Sequence, residues 1–188
     1  MNACREAGEW RCCELLLQRA RQRSITPLVD LYAIAIGACD DAGQPEDGVR
    51  LYEQGVEEGT FSHWHAEEPF SLDLHGFSQP CAASAVRYVL QRELANYIPS
   101  DLKIITGRGS HSADGVSRLL PRIEKLLSKE LEPPLPYENA SHLVCDEGGC
   151  QTIRNKGCLV VEVHELFKWL VDSRPCESYY LSIPATTA

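Results

Sequence analysis

"FSLDLHGFSQ", residues 70 to 79, alternates apolar and polar positions and then breaks at Gly76. Side chains of an extended chain point to opposite faces in turn, so Phe70, Leu72 and Leu74 share one face and Ser71, Asp73 and His75 the other. A strand covered on both sides reads as a continuous apolar run, whereas this pattern predicts a sheet with one open face and a carboxylate and imidazole at the strand's end. Ser78 and Pro80 then supply a cap and a first-turn residue for an amphipathic helix, with Ala82, Val86, Val89, Leu90 and Leu94 on its inner side.

Downstream the alternation of element types continues. "DLKIIT", 101 to 106, reads as a second strand, "GRGSHS", 107 to 112, as its loop, and Val116, Leu119, Leu120, Ile123, Leu126 and Leu127 recur at helical spacing. Residues 132 to 149 are Pro-rich and acidic and read as an irregular insertion. "QTIRNKGCLVVEV", 151 to 163, reads as a strand, a turn at Asn155 to Gly157 and another strand, and "HELFKWLV" as a short closing helix. The expectation is a two-layer βαβαβ sandwich over residues 70–175, whose right-handed crossovers put both helices on one face, with a tail at 176–188.

Upstream the pattern is helical and repeated. "ACREAGEW" at 3 to 10 superposes on "ACDDAGQP" at 38 to 45 at a shift of 35 residues, Ala, Cys, Ala and Gly recurring in place. Each unit reads as two helices meeting at an Ala-Gly corner. Gly43 ends the helix from Tyr32 to Asp41, and Pro45 starts the one running to Glu57. "TFSHWHAEEP", 60 to 69, has no periodicity, so the division falls there: helical hairpins over 1–63, a linker at 64–69, then the sheet domain. The fold class is thus an all-helical repeat followed by α/β. Stacked repeats bury their faces against neighbours, so a chain opening in mid-repeat is expected to belong to a longer protein.

The net charge of −9 is unevenly spread: residues 1–70 sum to −7, 71–129 to +3 and 130–188 to −5. The sheet's first half is the one basic segment, which keeps a nucleic-acid partner in play. No apolar run is long enough to span a membrane, and the N-terminus lacks the basic and apolar regions of a signal peptide. Nine irregularly spaced cysteines predict reduced thiols rather than a disulfide framework.

Loops that follow parallel strands gather along one sheet edge, where open α/β folds take ligands. Asp73, His75 and Gly76 close the first strand, and Thr106, Gly107, Arg108, Gly109, Ser110, His111 and Ser112 close the second. Glycines let backbone amides approach a phosphate, and Arg108 adds a fork of donors. Position 112 is Ser, so a dinucleotide fingerprint fails, and no GxxxxGK[ST] exists, so no nucleotide cofactor is expected.

The 35-residue unit ending in Pro before "LVDLYAIAIGACDDAG" resembles a pentatricopeptide repeat, a family that binds single-stranded RNA. Leu28 and Ala33 stand where that family has polar base-reading side chains, so no base code is carried over. "LDLHG" at 72–76 with "TGRGSHS" at 106–112 resembles the Smr (small MutS-related) domain, a match spanning roughly residues 70–172. The pair of modules is similar to plant and algal proteins that carry both. The resemblance implies a fold like the C-terminal domain of bacterial translation initiation factor three, nucleic-acid binding, cleavage in several members, and a chloroplast or mitochondrial setting.

Cleaving a phosphodiester needs a base, an acid and donors for the phosphorane charge. On RNA, or on DNA, His75 with Asp73 beside it suits the base, His111 the acid, and Arg108 with the amides of Gly107 and Gly109 the phosphate. Asp73 and His75 also suit a divalent ion such as magnesium, but two ligands do not define a site, and no metal is assigned. The same residues have structural uses: Asp73 and Ser112 as caps, His75 as a polar corner, the glycines as turn formers. Two readings therefore stand, an RNA endonuclease and a non-catalytic RNA- or protein-binding adaptor. Cys145 and Cys150 near His142 lack a second ligand pair, which speaks against zinc. Trp10, Trp64 and Trp169 are candidates for base stacking or for packing. Arg87, Arg92, Lys103, Arg118, Arg122, Lys125 and Lys129 are candidates for a backbone-binding surface.

Overall fold

The computed structural model describes residues 1–94, 98–107, 117–146 and 149–173, with 141–146 and 149–156 in backbone only. Helices α1 (Asn2–Glu6), α2 (Trp10–Gln22), α3 (Leu28–Asp41) and α4 (Pro45–Glu57) form two antiparallel hairpins. The 35-residue shift seen in the sequence recurs bond for bond. Glu9 N–H donates to the Cys4 carbonyl and Gln44 N–H to that of Cys39, both at 2.9 Å, and helices α2 and α4 begin and end 35 residues apart. Gly8 and Gly43 both sit at positive φ (74° and 65°), the left-handed turn that lets a helix stop and reverse without a Cβ clash. Pro45 opens α4 where its missing N–H costs nothing. Helix α3 starts four residues before the expected Tyr32, because Pro27 is extended and Asp30 lies in the first turn.

Strand β1 (Ser71–Asp73) runs through α5 (Gln79–Tyr88) to a parallel β2 (Leu102–Ile105). The Ser78 hydroxyl caps α5, accepting from Cys81 N–H at 3.4 Å. Two wider π-turns, Val89–Glu93 and Leu126–Glu130, continue α5 and α6 (Leu119–Lys125). Then β3 (Glu138–Asp146), β4 (Gly149–Val161) and α7 (Val163–Asp172) follow, and the sheet order is β1-β2-β4-β3.

The structure departs from the sequence expectation in three places. Residues 132–149 are not all irregular, since β3 starts at Glu138. Asn155 to Gly157 make no turn, since β4 passes through them and pairs antiparallel with both β2 and β3. The third element of the sheet is therefore a hairpin and not a third parallel strand. Finally, 64–69 is no free linker: Trp64 bridges Leu72 in antiparallel fashion, His65 N–H donates to the Ser71 carbonyl at 2.9 Å, and Asp73 N–H donates to that of His63 at 2.7 Å. This segment satisfies the edge of β1, whose open N–H and C=O groups would otherwise face water.

Register sorts the two faces. Leu72, Ile104 and Leu159 lie abreast and are fully buried, as are Val86, Val89 and Leu90 of α5. Ser71, Lys103 and Val160 lie abreast on the other face, which is left open at Lys103. One apolar core runs without a break from Leu17 and Tyr32 through Tyr52 and Phe61 to Leu72 and Ile104. The hairpins and the sheet half are thus packed on each other, tied by the Arg122–Asp40 ion pair at 3.1 Å.

Candidate functional site

Because β1 and β2 are parallel and Asp73 pairs with Ile105, both chains leave the sheet at one rim. Leu74 N–H still donates to the Ile105 carbonyl (2.9 Å), and then the chains diverge. Phe77 N–H closes a turn onto the Leu74 carbonyl at 3.1 Å, with Gly76 at φ 83°, a geometry that a residue with a Cβ takes up only under strain. Gly107 also has positive φ (74°), and a Cβ built on it would lie 3.8 Å from the His75 Cβ. So the two predicted loops do meet, at His75 and Gly107. Phe77 fixes the turn from below, its ring 6.2 Å from Tyr52 and 5.9 Å from Phe61 of the helical half.

Asp73 holds His75 twice. Its Oδ1 accepts the His75 backbone N–H at 3.1 Å and faces His75 Nδ1 at 2.5 Å. An ionised carboxylate only accepts, so the hydrogen between them sits on Nδ1, and in the neutral ring Nε2 carries the free lone pair. The His75 side chain is 74% exposed and that of Asp73 18%. A carboxylate tucked against the strand thus orients an imidazole held out in solvent.

Other expected site residues fare differently. Thr106, just past β2, is buried, and its hydroxyl has no hydrogen-bond partner among the described residues. Gly76 is exposed and contributes turn geometry. Arg108, Gly109, Ser110, His111 and Ser112 lie outside the described residues, as does Val116 of the expected second helix. Much of the expected basic surface is consumed internally. Arg87 (3.1 Å), Arg122 (3.0 Å) and Lys125 (3.1 Å) all converge on Glu130, and Lys103 pairs with Glu68 at 3.4 Å. Burial pushes the Glu130 carboxyl up, and its bonds to Lys125 and Arg122 outweigh that and leave it below the ordinary value.

Trp169 is a packing residue, donating to the Pro133 carbonyl at 2.6 Å, and the Arg11 guanidinium lies 5.1 Å from the ring centre of Trp10. Cys39 is inert: burial pushes its thiol up to about 12. The side chains of His142, Cys145 and Cys150 lie outside the described residues, and no cluster of three metal-ligating side chains occurs among the described ones.

A feature the sequence did not announce is a cleft of about 410 Å³ beside the pair, lined by Ser62, Trp64, His65, Ala66, Glu67, Asp73, His75 and Phe77. Its far wall is the 60–69 segment, whose aperiodic sequence concealed that it folds back along β1. No protein-family model, curated protein or solved structure matches the chain.

Proposed function

We propose that the chain is an RNA-directed protein that cleaves single-stranded RNA, and by the same chemistry DNA, at the rim where β1 and β2 end. The observation that carries this reading is the 2.5 Å Asp73–His75 contact, which leaves Nε2 of a largely exposed neutral ring to accept a proton at the rim that His75 shares with Gly107. In the reaction, His75 Nε2 takes the proton of the attacking 2′-hydroxyl or water, Asp73 holds Nδ1–H and offsets the charge of the imidazolium, and the new O–P bond forms as the P–O5′ bond breaks. The leaving oxygen is protonated by a second acid, the role that the chemistry of cleavage gives to His111. The Smr resemblance, through "LDLHG" and "TGRGSHS", supports the Smr-type fold, the helical hairpins as pentatricopeptide-like RNA-binding units, and an organellar setting.

The test incubates labelled single-stranded RNA and DNA with the wild type, Asp73→Ala and His75→Ala, with and without magnesium. The expected outcome is cleavage by the wild type, with binding kept and cleavage lost in both variants. A second reading, a non-catalytic adaptor, is favoured by one observation: Arg87, Arg122 and Lys125 spend their charge on Glu130 rather than on a partner. Intact RNA after incubation with the wild type, with salt-sensitive binding retained, selects that reading.

A further inference from the structure

His65 sits across the cleft from the Asp73–His75 pair and is fixed in the opposite state. The backbone N–H groups of Glu67 and Glu68 both donate to its Nδ1, at 3.2 and 3.0 Å. A ring nitrogen that accepts N–H groups carries no hydrogen, so the hydrogen is on Nε2 and the ring is neutral. His65, in the lining of the cleft, therefore carries an Nε2–H donor. Glu67 adds a carboxylate acceptor to the same lining. Trp64 adds an aromatic wall: it is 36% exposed, its Nε1–H donates to Glu93 at 2.9 Å, and its ring stacks on Phe70 with centroids 5.7 Å apart.

Charge decides which part of a nucleotide this lining suits. Among the described residues it contains Asp73 and Glu67 and no lysine or arginine, so a phosphate placed at its Glu67 side meets like charge. A nucleobase is uncharged and flat, and its edge both donates and accepts, which matches an aromatic wall, an N–H donor and a carboxylate. Paired bases have their faces stacked and their Watson–Crick edges taken.

We propose that the cleft is a base-binding subsite: an unpaired base adjoining the phosphate at the rim lies against Trp64, with its edge held by His65 Nε2–H and the Glu67 carboxylate. This rests on the reading that the rim takes a nucleic-acid phosphate. It makes the protein selective for single strands and gives the 60–69 segment a role in binding as well as in closing the sheet edge.

The test uses the full chain and fluorescence anisotropy with three probes: a short labelled single-stranded RNA, the same RNA with one abasic position, and the same RNA annealed to its complement. The wild type is expected to bind the intact single strand about tenfold more tightly than either of the others, the size of one lost stacking contact. Trp64→Ala should remove that difference. Because Trp64 also bonds Glu93, Trp64→Phe, which keeps a ring, and Glu67→Gln, on an exposed loop, serve as folded controls. The first should retain the preference and the second, which loses the carboxylate that holds the base edge, should narrow the gap between intact and abasic RNA. His65→Gln, which returns a donor near the place of Nε2, should bind more tightly than His65→Asn, which returns only the acceptor for the loop amides. Equal binding of intact and abasic RNA by the wild type overturns the subsite, and so does wild-type behaviour in Trp64→Ala or Glu67→Gln. If those results come with cleavage that still depends on Asp73 and His75, the subsite alone falls. If the wild type binds no RNA at all, the reading beneath it falls as well.

Discussion

Two imidazole–carboxylate pairs lie close together in the chain, His63 with Glu93 and His75 with Asp73, and their surroundings set them apart. His63 is 3% exposed, bounded by Tyr52, Trp64 and Tyr88, and both its nitrogens have partners inside the protein: Tyr52 O–H donates to Nδ1 at 3.1 Å, and Nε2–H donates to Glu93 at 3.2 Å. Among the described residues His75 has one partner, and its side chain is 74% exposed. The same two functional groups thus make a joint in one place and a reactive end in the other. A saturated imidazole holds structure, and a half-satisfied exposed one is free to exchange a proton.

The widest separation of the two pairs comes from alanine at each imidazole. His75→Ala should lower RNA cleavage by about 10²- to 10⁴-fold, the usual share of a general base, while thermal stability changes by no more than about 0.5 kcal/mol. His63→Ala should do the reverse. It opens a void at the joint between helical hairpins and sheet, leaves the Tyr52 hydroxyl without its partner and takes one of the partners of Glu93, at a cost of about 3 kcal/mol in denaturant unfolding. Cleavage should then fall only as far as unfolding removes active protein. If instead His63→Ala abolished cleavage in a folded protein, the division between joint and reactive end would collapse.

The Glu130 knot tests whether the joint is held by charge as well as by packing. Glu130→Gln takes the common partner from Arg87 and Arg122, both largely buried, and should cost about 2 kcal/mol. Its pH dependence has a definite sign. Burial raises the carboxyls of Glu130 and Glu93, and the hydrogen bonds to Lys125 and Arg122, and to His63 and Trp64, outweigh it, so both end below their ordinary values in the fold. Their contribution is complete above the unfolded glutamate value of about 4.3 and is lost as pH falls through the lower folded values. Melting temperature followed from pH 6 down to about 3 should therefore drop in the wild type and drop less steeply in Glu130→Gln.

Local chemistry made part of this legible in sequence. Gly43 and Pro45 announce a helix corner because their backbone limits act on the spot, and Leu72 and Leu74 announce a buried face because strand side chains alternate. The parallel pairing of β1 with β2 followed from the intervening helix, and with it the meeting of His75 and Gly107. What stayed hidden depends on distant partners. Glu138 begins a strand because β4 pairs with it, although the Pro-rich stretch before it reads as loop. Arg87 and Arg122 read as solvent-facing cations, but Glu130, 43 and 8 residues away, claims them. His65 has no telling spacing, and its state comes from two backbone amides that only the folded turn presents.

The smallest expected effect is the most pointed check on the joint. Tyr52→Phe removes one oxygen atom and leaves the ring in place, stacked on Phe61 with centroids 4.9 Å apart. The loss is therefore the hydrogen bond to His63 Nδ1, worth about 1 kcal/mol. Burial drives the Tyr52 hydroxyl upward, so it stays protonated and able to donate, and because the Glu93 carboxylate accepts from Nε2–H, the neutral His63 ring takes the Tyr52 hydrogen at Nδ1. Nitrogen-15 NMR of the imidazoles should thus find His63 in the Nε2–H form in the wild type and less strictly so in Tyr52→Phe. His75, locked by Asp73, should show the Nδ1–H form in both. Two histidines in one protein with opposite tautomers, each dictated by its neighbour, would carry the contrast between joint and reactive end down to single hydrogen atoms. Finding the same tautomer at both would remove its physical basis.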